Sequence, residues 1–325
     1  MKNYFRVSKI TALILACCIC FCACSDRKGE TTDFINPSSA ASDMKERPNS
    51  DFKKAPANSK EDIKPSPDNK IHPPKKDAVL PSATKNEEPS TYEKCITDNF
   101  ASFPGTYSYA FHIYGTDHSK TANNSQQKSA SIIKLFIMEY AYSQMEKGEL
   151  KADSTIGGKK LSSLIEAMIT YSDNDATNTL INHFTMKKIN EFISSCGYSD
   201  TVLGRKMLDT AAAARGEENY TSVGDVMKFL DKLYANRETY PYNEMLSVMK
   251  RQQIATKIRR DIPSGVEIAS KTGELSDTDN DAGIIFTANG DFAFVCFTQN
   301  ASPEPARDCI AKSARAMYDL IMKKE

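Results

Sequence analysis

The sequence has 325 residues and carries 42 basic and 42 acidic side chains, so its formal net charge is zero. A chain without net positive charge has no overall field that attracts nucleic acid, and we expect no nucleic-acid partner. Hydrophobic residues make up 40% of the chain and the mean hydropathy is -0.48, values that exclude a protein with many membrane spans. The four histidines lack metal-ligand spacing and lie in no nucleophile motif, which argues against zinc hydrolysis and Ser-His-Asp chemistry.

The first residues have the pattern of an export signal. Three basic residues precede an apolar run over residues 10–23, and the chain turns polar at Ser25. Such a run is too short to span a bilayer and is typical of a secretory signal. An apolar stretch that closes on Ala-Cys resembles the lipobox of bacterial lipoproteins, in which the cysteine is acylated. Cys24 fits this pattern best because the polar segment follows it directly, while Cys17 and a plain cleaved signal remain alternatives.

Residues 25–91 have the composition of a disordered tether. Between residues 26 and 91 the chain holds nine of its 14 prolines, one glycine, and 12 basic and 12 acidic side chains. So few large apolar side chains cannot bury enough surface to offset the entropy lost on ordering. With residues 1–24 as a signal peptide, we expect an exported protein at the outer face of the bacterial cell membrane, lipid-anchored or secreted. Residues 92–325 are then the folded domain.

This folded part alternates between helical and strand periodicity. Apolar spacing predicts helices at 92–103, from Ser131 onwards, and at 161–169, 176–184, 189–195, 223–234, 242–254 and 303–323. Apolar alternation and short apolar runs predict strands at 107–113, 266–269, 283–287 and 292–298, the last two joined at Asn289-Gly290. Strands at both ends of a helical middle predict an α/β fold of the α+β type, in which the ends form one antiparallel sheet. Residues 131–250, approximately, would form a helical subdomain packed against it.

Four cysteines lie in this folded part, at Cys95, Cys196, Cys296 and Cys309. An even number in an exported chain allows disulfides, with three possible pairings that the sequence does not distinguish. Buried free thiols are an equally good interpretation.

Ser131 opens the most apolar of the predicted helices and is followed one turn later by Lys134. A helix N-terminus favours an anionic oxygen, and a lysine three residues on lies close enough to share the proton of the Ser131 hydroxyl. A lysine in a dry site tends towards neutrality and can act as a base. The same pattern also fits a serine that caps a helix beside a lysine that reaches solvent, and Ser-x-x-Lys alone is a common sequence.

Two further motifs each occur once. Ser172-Asp173-Asn174 lies between two predicted helices, where an ordinary turn with a helix cap is the alternative, and Lys271-Thr272-Gly273 follows the strand predicted at 266–269. In the order Ser-x-x-Lys, Ser-Asp-Asn, Lys-Thr-Gly, the motifs resemble those of the penicillin-recognising serine hydrolases, and most closely the class A β-lactamases. The resemblance covers roughly residues 93–325.

The resemblance implies a β-lactamase/transpeptidase-like fold, with a five-stranded antiparallel sheet, flanking helices and an all-helical subdomain, and with the site between them. It implies that Ser131 is the acylated nucleophile, that Lys134 accepts its proton, directly or through water, and that Ser172 relays a proton to the leaving nitrogen. The backbone N–H groups of Ser131 and Glu274 would form the oxyanion hole. No metal or organic cofactor is implied, and we expect a monomer.

The resemblance also implies how the substrate is bound. Asn174 would contact the amide of its side chain. Lys271 and Thr272, which share a strand with Gly273, would hold its carboxylate, with Lys271 as a fixed cation at a strand end that faces the cleft.

One loop departs from the class A pattern. Arg205 and Asn219 resemble the ends of the loop that carries the deacylating Glu and its partner Asn, but direct counting places Met207 and Ala211 at those two positions. Asp209 could serve as the deacylation base only if the loop were shifted, and its side chain is one methylene shorter. The sequence therefore supports acylation better than deacylation.

Three functions follow from these motifs. The first is a class A-type β-lactamase that hydrolyses the β-lactam amide. The second is a D,D-peptidase or esterase-like serine hydrolase of the same fold that acts on cell-wall peptide. The third is a slowly deacylating penicillin-binding or sensing protein.

Overall fold

The structure, a computed structural model, describes residues 90–323, so the predicted signal peptide with Cys24 and nearly all of the predicted tether lie outside the described residues. The described strands are β1 (Thr106–Ile113), β2 (Ser119–Ala122), β3 (Gln127–Lys128), β4 (Thr155–Ile156), β5 (Lys159–Lys160), β6 (Tyr220–Thr221), β7 (Glu267–Leu275), β8 (Thr278–Phe286) and β9 (Phe292–Gln299). The described α-helices are α1 (Thr91–Thr97), α2 (Lys134–Glu146), α3 (Leu161–Thr170), α4 (Asn174–Phe184), α5 (Met186–Ser195), α6 (Thr210–Ala214), α7 (Val223–Ala235), α8 (Tyr242–Lys250), α9 (Ile258–Asp261) and α10 (Pro303–Met322). None of these helices is long and apolar enough to cross a membrane.

Five of the strands form one sheet in the order β2-β1-β9-β8-β7. Each neighbouring pair in it is antiparallel. Strands β1 and β2 come from the start of the described chain and β7 to β9 from its end, while α2 to α8 fill the middle. This arrangement confirms the predicted α+β fold with a five-stranded antiparallel sheet.

Both faces of the sheet are covered by helices. On β9, Phe292 and Phe294 belong to the core formed with α1 and α10, whereas Ala293 and Val295 belong to the core formed with the helical middle. Side chains alternate between the faces of a strand, so a strand covered on both faces has a continuous apolar sequence. The sheet is therefore the middle layer of three.

Helix α2 is the centre of the helical layer. Leu135, Phe136, Ile137 and Met138 are all fully buried, and the helix packs against α3, α4, α5 and α8. Fully burying one such side chain contributes about 1.5–3 kcal/mol to stability. The prediction of a helix buried on every face is confirmed, and it gives the residues at the start of α2 a rigid support.

The structure differs from the predicted elements at several boundaries. Helix α1 ends at Thr97 and α8 at Lys250, both earlier than predicted, while β7 continues to Leu275 instead of ending at Ala269. Strand β2 was not predicted, because it is a polar, largely exposed edge strand without apolar alternation. The extension of β7 carries the Lys-Thr-Gly motif inside the strand.

All four cysteines of the described chain are free thiols. Cys296 is fully buried on β9, and this burial raises the pKa of its thiol well above the ordinary value. The sequence allowed either disulfides or free thiols, and in the structure these cysteines are free thiols.

Candidate active site

Ser131 lies in a 3₁₀ turn, Ala130–Ile133, that leads directly into α2. The sequence predicted that it would open the α-helix itself, but α2 begins only at Lys134. Ala130 has a φ of 47°, in the left-handed region that is costly for a residue with a side chain. Ser131 is half-buried and lines a cavity of about 250 Å³. The turn thus presents the Ser131 hydroxyl to a small, accessible cavity.

The Lys134 side chain is fully buried and its ammonium group points to the Ser-Asp-Asn turn. Nζ donates to the Ser172 carbonyl oxygen at 2.6 Å, to Ser172 Oγ at 3.2 Å and to Asn174 Oδ1 at 2.8 Å. Within residues 90–323, none of its hydrogen bonds goes to Ser131, so of the two predicted routes for the Ser131 proton, direct or through water, the direct hydrogen bond is not formed here. The Lys134 ammonium group is thus held by Ser172 and Asn174.

Ser172 has a backbone conformation that serves these contacts. Its φ is 58°, again in the left-handed region. The next residue, Asp173, caps α4 by accepting a hydrogen bond from the Ala176 N–H at 2.6 Å. The cap fixes the start of α4, so the left-handed Ser172 directs both its carbonyl and its hydroxyl at Lys134.

Lys271 approaches Ser172 from the sheet. Its Nζ donates to Ser172 Oγ at 3.0 Å and to the Thr272 carbonyl oxygen at 2.7 Å. The sequence predicted a strand-end cation facing the cleft, but the Lys271 side chain is fully buried, and Thr272 is 2% exposed. The Ser172 hydroxyl therefore lies between two buried lysines.

Burial changes the protonation of both lysines. Desolvation lowers the pKa of Lys134 to about 8, although the charge of Asp173 acts in the opposite direction. Desolvation, and then the positive charge of Lys134, hold the pKa of Lys271 well below its ordinary value. A lysine with a lowered pKa is neutral at moderately alkaline pH, and a neutral amine can accept a proton from a serine hydroxyl.

Gly273 allows β7 to lie against the nucleophile's turn. A Cβ atom at this position would meet the Ser129 carbonyl oxygen at 2.8 Å and the Ile132 nitrogen at 3.1 Å. On the neighbouring strand, Asn280 Nδ2 donates to the carbonyl oxygen of Lys128 at 2.8 Å. These contacts fix the distance between the sheet and the 3₁₀ turn, and they place Glu274, the next residue, in the same cavity wall as Ser131.

The loop after α5 forms the opposite wall of the cavity. Arg205 Nη2 donates to Glu218 Oε2 at 2.9 Å, so Glu218 supplies the carboxylate that closes the loop. Asn219, which the sequence analysis took as the loop end, accepts hydrogen bonds from the N–H groups of Gly204 at 2.9 Å and Arg205 at 3.0 Å. The loop predicted between Arg205 and Asn219 is therefore present, and the two adjacent residues Glu218 and Asn219 close it.

Met207 and Asp209 both line the cavity with Ser131. Asn178 binds the backbone of Met207 on both sides, since its Oδ1 accepts from the Met207 N–H at 2.9 Å and its Nδ2 donates to the Met207 carbonyl at 3.0 Å. Asp209 caps the short helix α6 by accepting from the Ala212 N–H at 2.9 Å. The backbone of Met207, the residue to which direct counting along the loop assigns the deacylating position, is thus fixed beside the cavity.

The sequence profile of the beta-lactamase enzyme family matches residues 91–321, which include every element of the fold and all three motifs. The chain belongs to this family. A search of curated proteins gave no match.

Solved structures of this family share the fold at low sequence identity. A beta-lactamase from Sphaerobacter thermophilus is 24% identical with a TM-score of 0.63, and the match covers 71% of this chain and 97% of the beta-lactamase chain. A class A beta-lactamase from Bacteroides cellulosilyticus is 19% identical with a TM-score of 0.63, and the match covers 72% of this chain and 98% of the beta-lactamase chain. The protein PBP-A is 21% identical with a TM-score of 0.64, and the match covers 71% of this chain and 96% of the PBP-A chain. A PBP-A variant was also solved as an acyl-enzyme complex with penicillin G. The protein is therefore a member of the beta-lactamase family with the fold of a serine hydrolase.

Three contributions to the site of this beta-lactamase family member were missed in the sequence. Asn178 is an ordinary helix residue until the loop folds onto it, and Glu218 belongs to none of the three motifs. Lys257, which binds the side chain of Glu274 at 2.6 Å, belongs to no motif. Their roles arise from contacts between segments far apart in the chain, and a single sequence carries no signal for such contacts.

The lowered pKa of Lys134 predicts how the acylation of Ser131 depends on pH. We expect the rate of Ser131 acylation by penicillin G to rise with pH and to level off above an apparent pKa of about 8, because only neutral Lys134 accepts the proton. The rate is measured by intact-protein mass spectrometry from about pH 6 to about pH 10. Lys134→Arg, whose guanidinium stays protonated, should abolish the reaction while the fold is checked by circular dichroism. A rate independent of pH across this range would contradict the assignment.

Proposed function

We propose that the protein is a serine hydrolase that opens β-lactams by forming an acyl ester on Ser131. The observation that carries this proposal is the convergence of the three motifs, with Lys134 and Lys271 both donating to Ser172 Oγ, at 3.2 Å and 3.0 Å, beside the cavity that Ser131 lines. A serine, a desolvated amine and a bridging hydroxyl are the groups that amide cleavage by acyl transfer needs.

The proposed reaction begins with attack of Ser131 Oγ on the lactam carbonyl carbon. The hydroxyl proton passes to neutral Lys134, directly or through water, as the new C–O bond forms. The lactam C–N bond then breaks, and the nitrogen takes up a proton relayed from Lys134 through Ser172 Oγ. The N–H groups of Ser131 and Glu274 would stabilise the negative carbonyl oxygen, and Asn174 would contact the substrate's side chain.

Deacylation is the slow step in this proposal. Hydrolysis of the ester needs a base that takes a proton from water, and the thioether of Met207 cannot do this. Asp209 lines the cavity, but its Oδ1 is already bound to the N–H of Ala212. A slowly hydrolysed ester favours the third function that the motifs allow, a slowly deacylating penicillin-binding or sensing protein. We further propose that the protein acts outside the cell, anchored through Cys24.

The acylation itself is tested with penicillin G and intact-protein mass spectrometry. We expect one covalent adduct of the antibiotic's mass, on a peptide that contains Ser131, and none in Ser131→Ala. Ser125→Ala is a matched control because Ser125 also begins a Ser-x-x-Lys sequence but lies outside this cavity. An adduct that persists in Ser131→Ala, or one that is lost in Ser125→Ala, would overturn the assignment.

The loop predicts a gain of function in Met207→Glu. A carboxylate at this position can act as the missing base, so the slow phase that follows the initial burst should become faster, by about 100-fold for a working general base. Turnover of a chromogenic cephalosporin measures both phases. Met207→Gln, which has nearly the same size but cannot accept the proton, should leave the slow phase unchanged.

The alternative base is tested in the same assay. Asp209→Asn keeps a good helix cap, since Asn and Asp cap helices about equally well, so the variant removes only the charge. Wild-type turnover without a burst, lost in Asp209→Asn, would show that Asp209 is the base and that deacylation is not slow.

A further inference from the structure

A second cavity adjoins the catalytic cavity across the short β3–β6 pair. In that pair Lys128 lies opposite Tyr220, and the Ser129 N–H donates to the Asn219 carbonyl oxygen at 2.8 Å. Asn219 lines the catalytic cavity, whereas Lys128 and Tyr220 line the second one. The second cavity has a volume of about 650 Å³, within the range of about 300–1,000 Å³ that is typical of small-molecule sites. A ligand bound there would lie next to the segment that leads into the nucleophile's turn.

Amide side chains are the common feature of this second cavity, which we call the amide groove. Five of them line it, three from the segment that follows β2 and two from the end of β9: Asn123, Gln126, Gln127, Gln299 and Asn300. An amide both donates and accepts hydrogen bonds and carries no charge. The groove is therefore suited to a polar ligand that is itself uncharged.

The charge of the groove supports the same conclusion. Among the described residues that line it, Lys128 is the one charged side chain, and its Nζ binds the carboxylate oxygen Oδ2 of Asp277 at 3.0 Å. This ion pair leaves the wall of the groove without a net charge. An ionic ligand would gain little there over water, whereas a neutral ligand loses no ionic solvation when it binds.

Two of the amides are held with their oxygen atoms available. Asn123 Nδ2 donates to the Tyr107 carbonyl oxygen at 3.0 Å, and Gln126 Nε2 donates to the Asp200 carbonyl oxygen at 3.1 Å. A carbonyl oxygen can only accept, so each bond fixes which end of the amide is the nitrogen. Within residues 90–323, neither Asn123 Oδ1 nor Gln126 Oε1 accepts a hydrogen bond, and both residues are exposed. The groove thus presents two oriented acceptors to a ligand that carries donors.

Tyr220 supplies an aromatic ring beside these acceptors. The residue is half-buried, and its backbone exchanges two hydrogen bonds with Val202, each at 3.0 Å, which fix its position. A tyrosine combines an apolar ring with a polar hydroxyl. Such a ring can pack against the C–H groups of a ligand whose hydroxyl groups bind the neighbouring amides.

We propose that the amide groove is a carbohydrate-binding site for a neutral sugar chain that carries hydroxyl and acetamido groups. Its O–H and N–H groups donate to Asn123 Oδ1 and Gln126 Oε1, and the C–H groups of one sugar ring pack on Tyr220. A sugar offers several donors on one small ring, whereas an extended peptide offers one N–H per residue, about 3.3 Å apart. The site lies outside the catalytic cavity, and it goes beyond the proposed function because it needs no acylation of Ser131.

The binding is tested with chitotetraose, a neutral chain of four N-acetylglucosamine units. The full-length protein labelled with ¹⁵N is titrated with the sugar, and NMR follows the backbone and side-chain amide signals. We expect saturable shifts at Asn123, Gln126 and Tyr220. No saturation up to about 10 mM, ten times the Kd of a weak site of about 1 mM, would overturn the proposal. Shifts confined to the catalytic cavity, at Leu208 and Thr210, would overturn it as well.

Two variants locate the contacts. Gln126→Ala removes one acceptor and should weaken binding about fivefold, the effect of one lost hydrogen bond. Gln253→Ala is its matched control, because Gln253 is also exposed and also donates to a backbone carbonyl, that of Arg251 at 2.9 Å, but lies outside the groove. This control should bind as the wild type does. Tyr220→Leu should weaken binding about tenfold through the lost ring contact.

The two variants also keep the test decisive. Gln126 is exposed, so its variant should fold even if Tyr220→Leu does not. An affinity that is unchanged in Gln126→Ala, or that falls equally in Gln253→Ala, would overturn the proposal. Saturable binding of tetra-alanine at the same residues, without binding of the sugar, would show a peptide site instead. The measurement needs no reaction at Ser131, so its failure would leave the proposed acylation standing, and a failure of acylation would leave this site standing.

Discussion

The site depends on the hydroxyl group of Ser172, which two lysine side chains contact. Ser172 Oγ accepts hydrogen bonds from two lysine ammonium groups, Lys134 at 3.2 Å and Lys271 at 3.0 Å, and both side chains are fully buried. Desolvation lowers the pKa of Lys134, while desolvation and then the charge of Lys134 lower the pKa of Lys271. The pair is therefore biased towards losing a proton, and the fold converts a strong cation into an available base. The proposed acylation of Ser131 needs this bias, because a serine nucleophile requires an acceptor for its proton.

The rest of the structure holds this arrangement in place. Helix α2 is packed on every side, which fixes the start of the helix where Lys134 lies. Gly273 lets the strand that carries Lys271 come within contact distance of the nucleophile's turn. Ser172 and Ala130 both have left-handed backbones, and such strain persists only where the surrounding contacts over-determine it. The core thus provides the free energy that keeps two lysines dehydrated and two residues strained.

The same geometry separates acylation from deacylation. The groups for acylation come from three elements that meet at Ser172, while the groups for deacylation must come from the loop closed by Arg205 and Glu218. Both amide atoms of Asn178 bind the backbone of Met207 in that loop, so the thioether, which cannot act as a base, lies in a fixed segment beside the cavity. In the proposed reaction, this combination favours formation of the ester on Ser131 over its hydrolysis.

Sequence patterns predicted the parts of the fold and site that depend on local chemistry. The buried α2, the Asn289-Gly290 hairpin and the order of the motifs were all visible, because periodicity and turn chemistry act over a few residues. The exposed edge strand β2 has no such pattern, and the burial of Lys271 depends on how the sheet meets the helices. The binding of Glu274 by Lys257 joins residues on two elements and could only be found in three dimensions. Sequence thus located the three motifs, while the structure showed the burial and the contacts of their side chains.

The central claim is that Lys134 is a base with a lowered pKa, and a direct titration of its side chain tests it. Protein labelled with ¹⁵N at the lysine side chains is followed by NMR as the pH is raised, and the Lys134 signal is assigned by its loss in Lys134→Met. The account predicts that this amine titrates near pH 8. A Lys134 amine that stays protonated until the pH reaches its ordinary pKa of 10.5 would contradict the account, because the site would then lack its base.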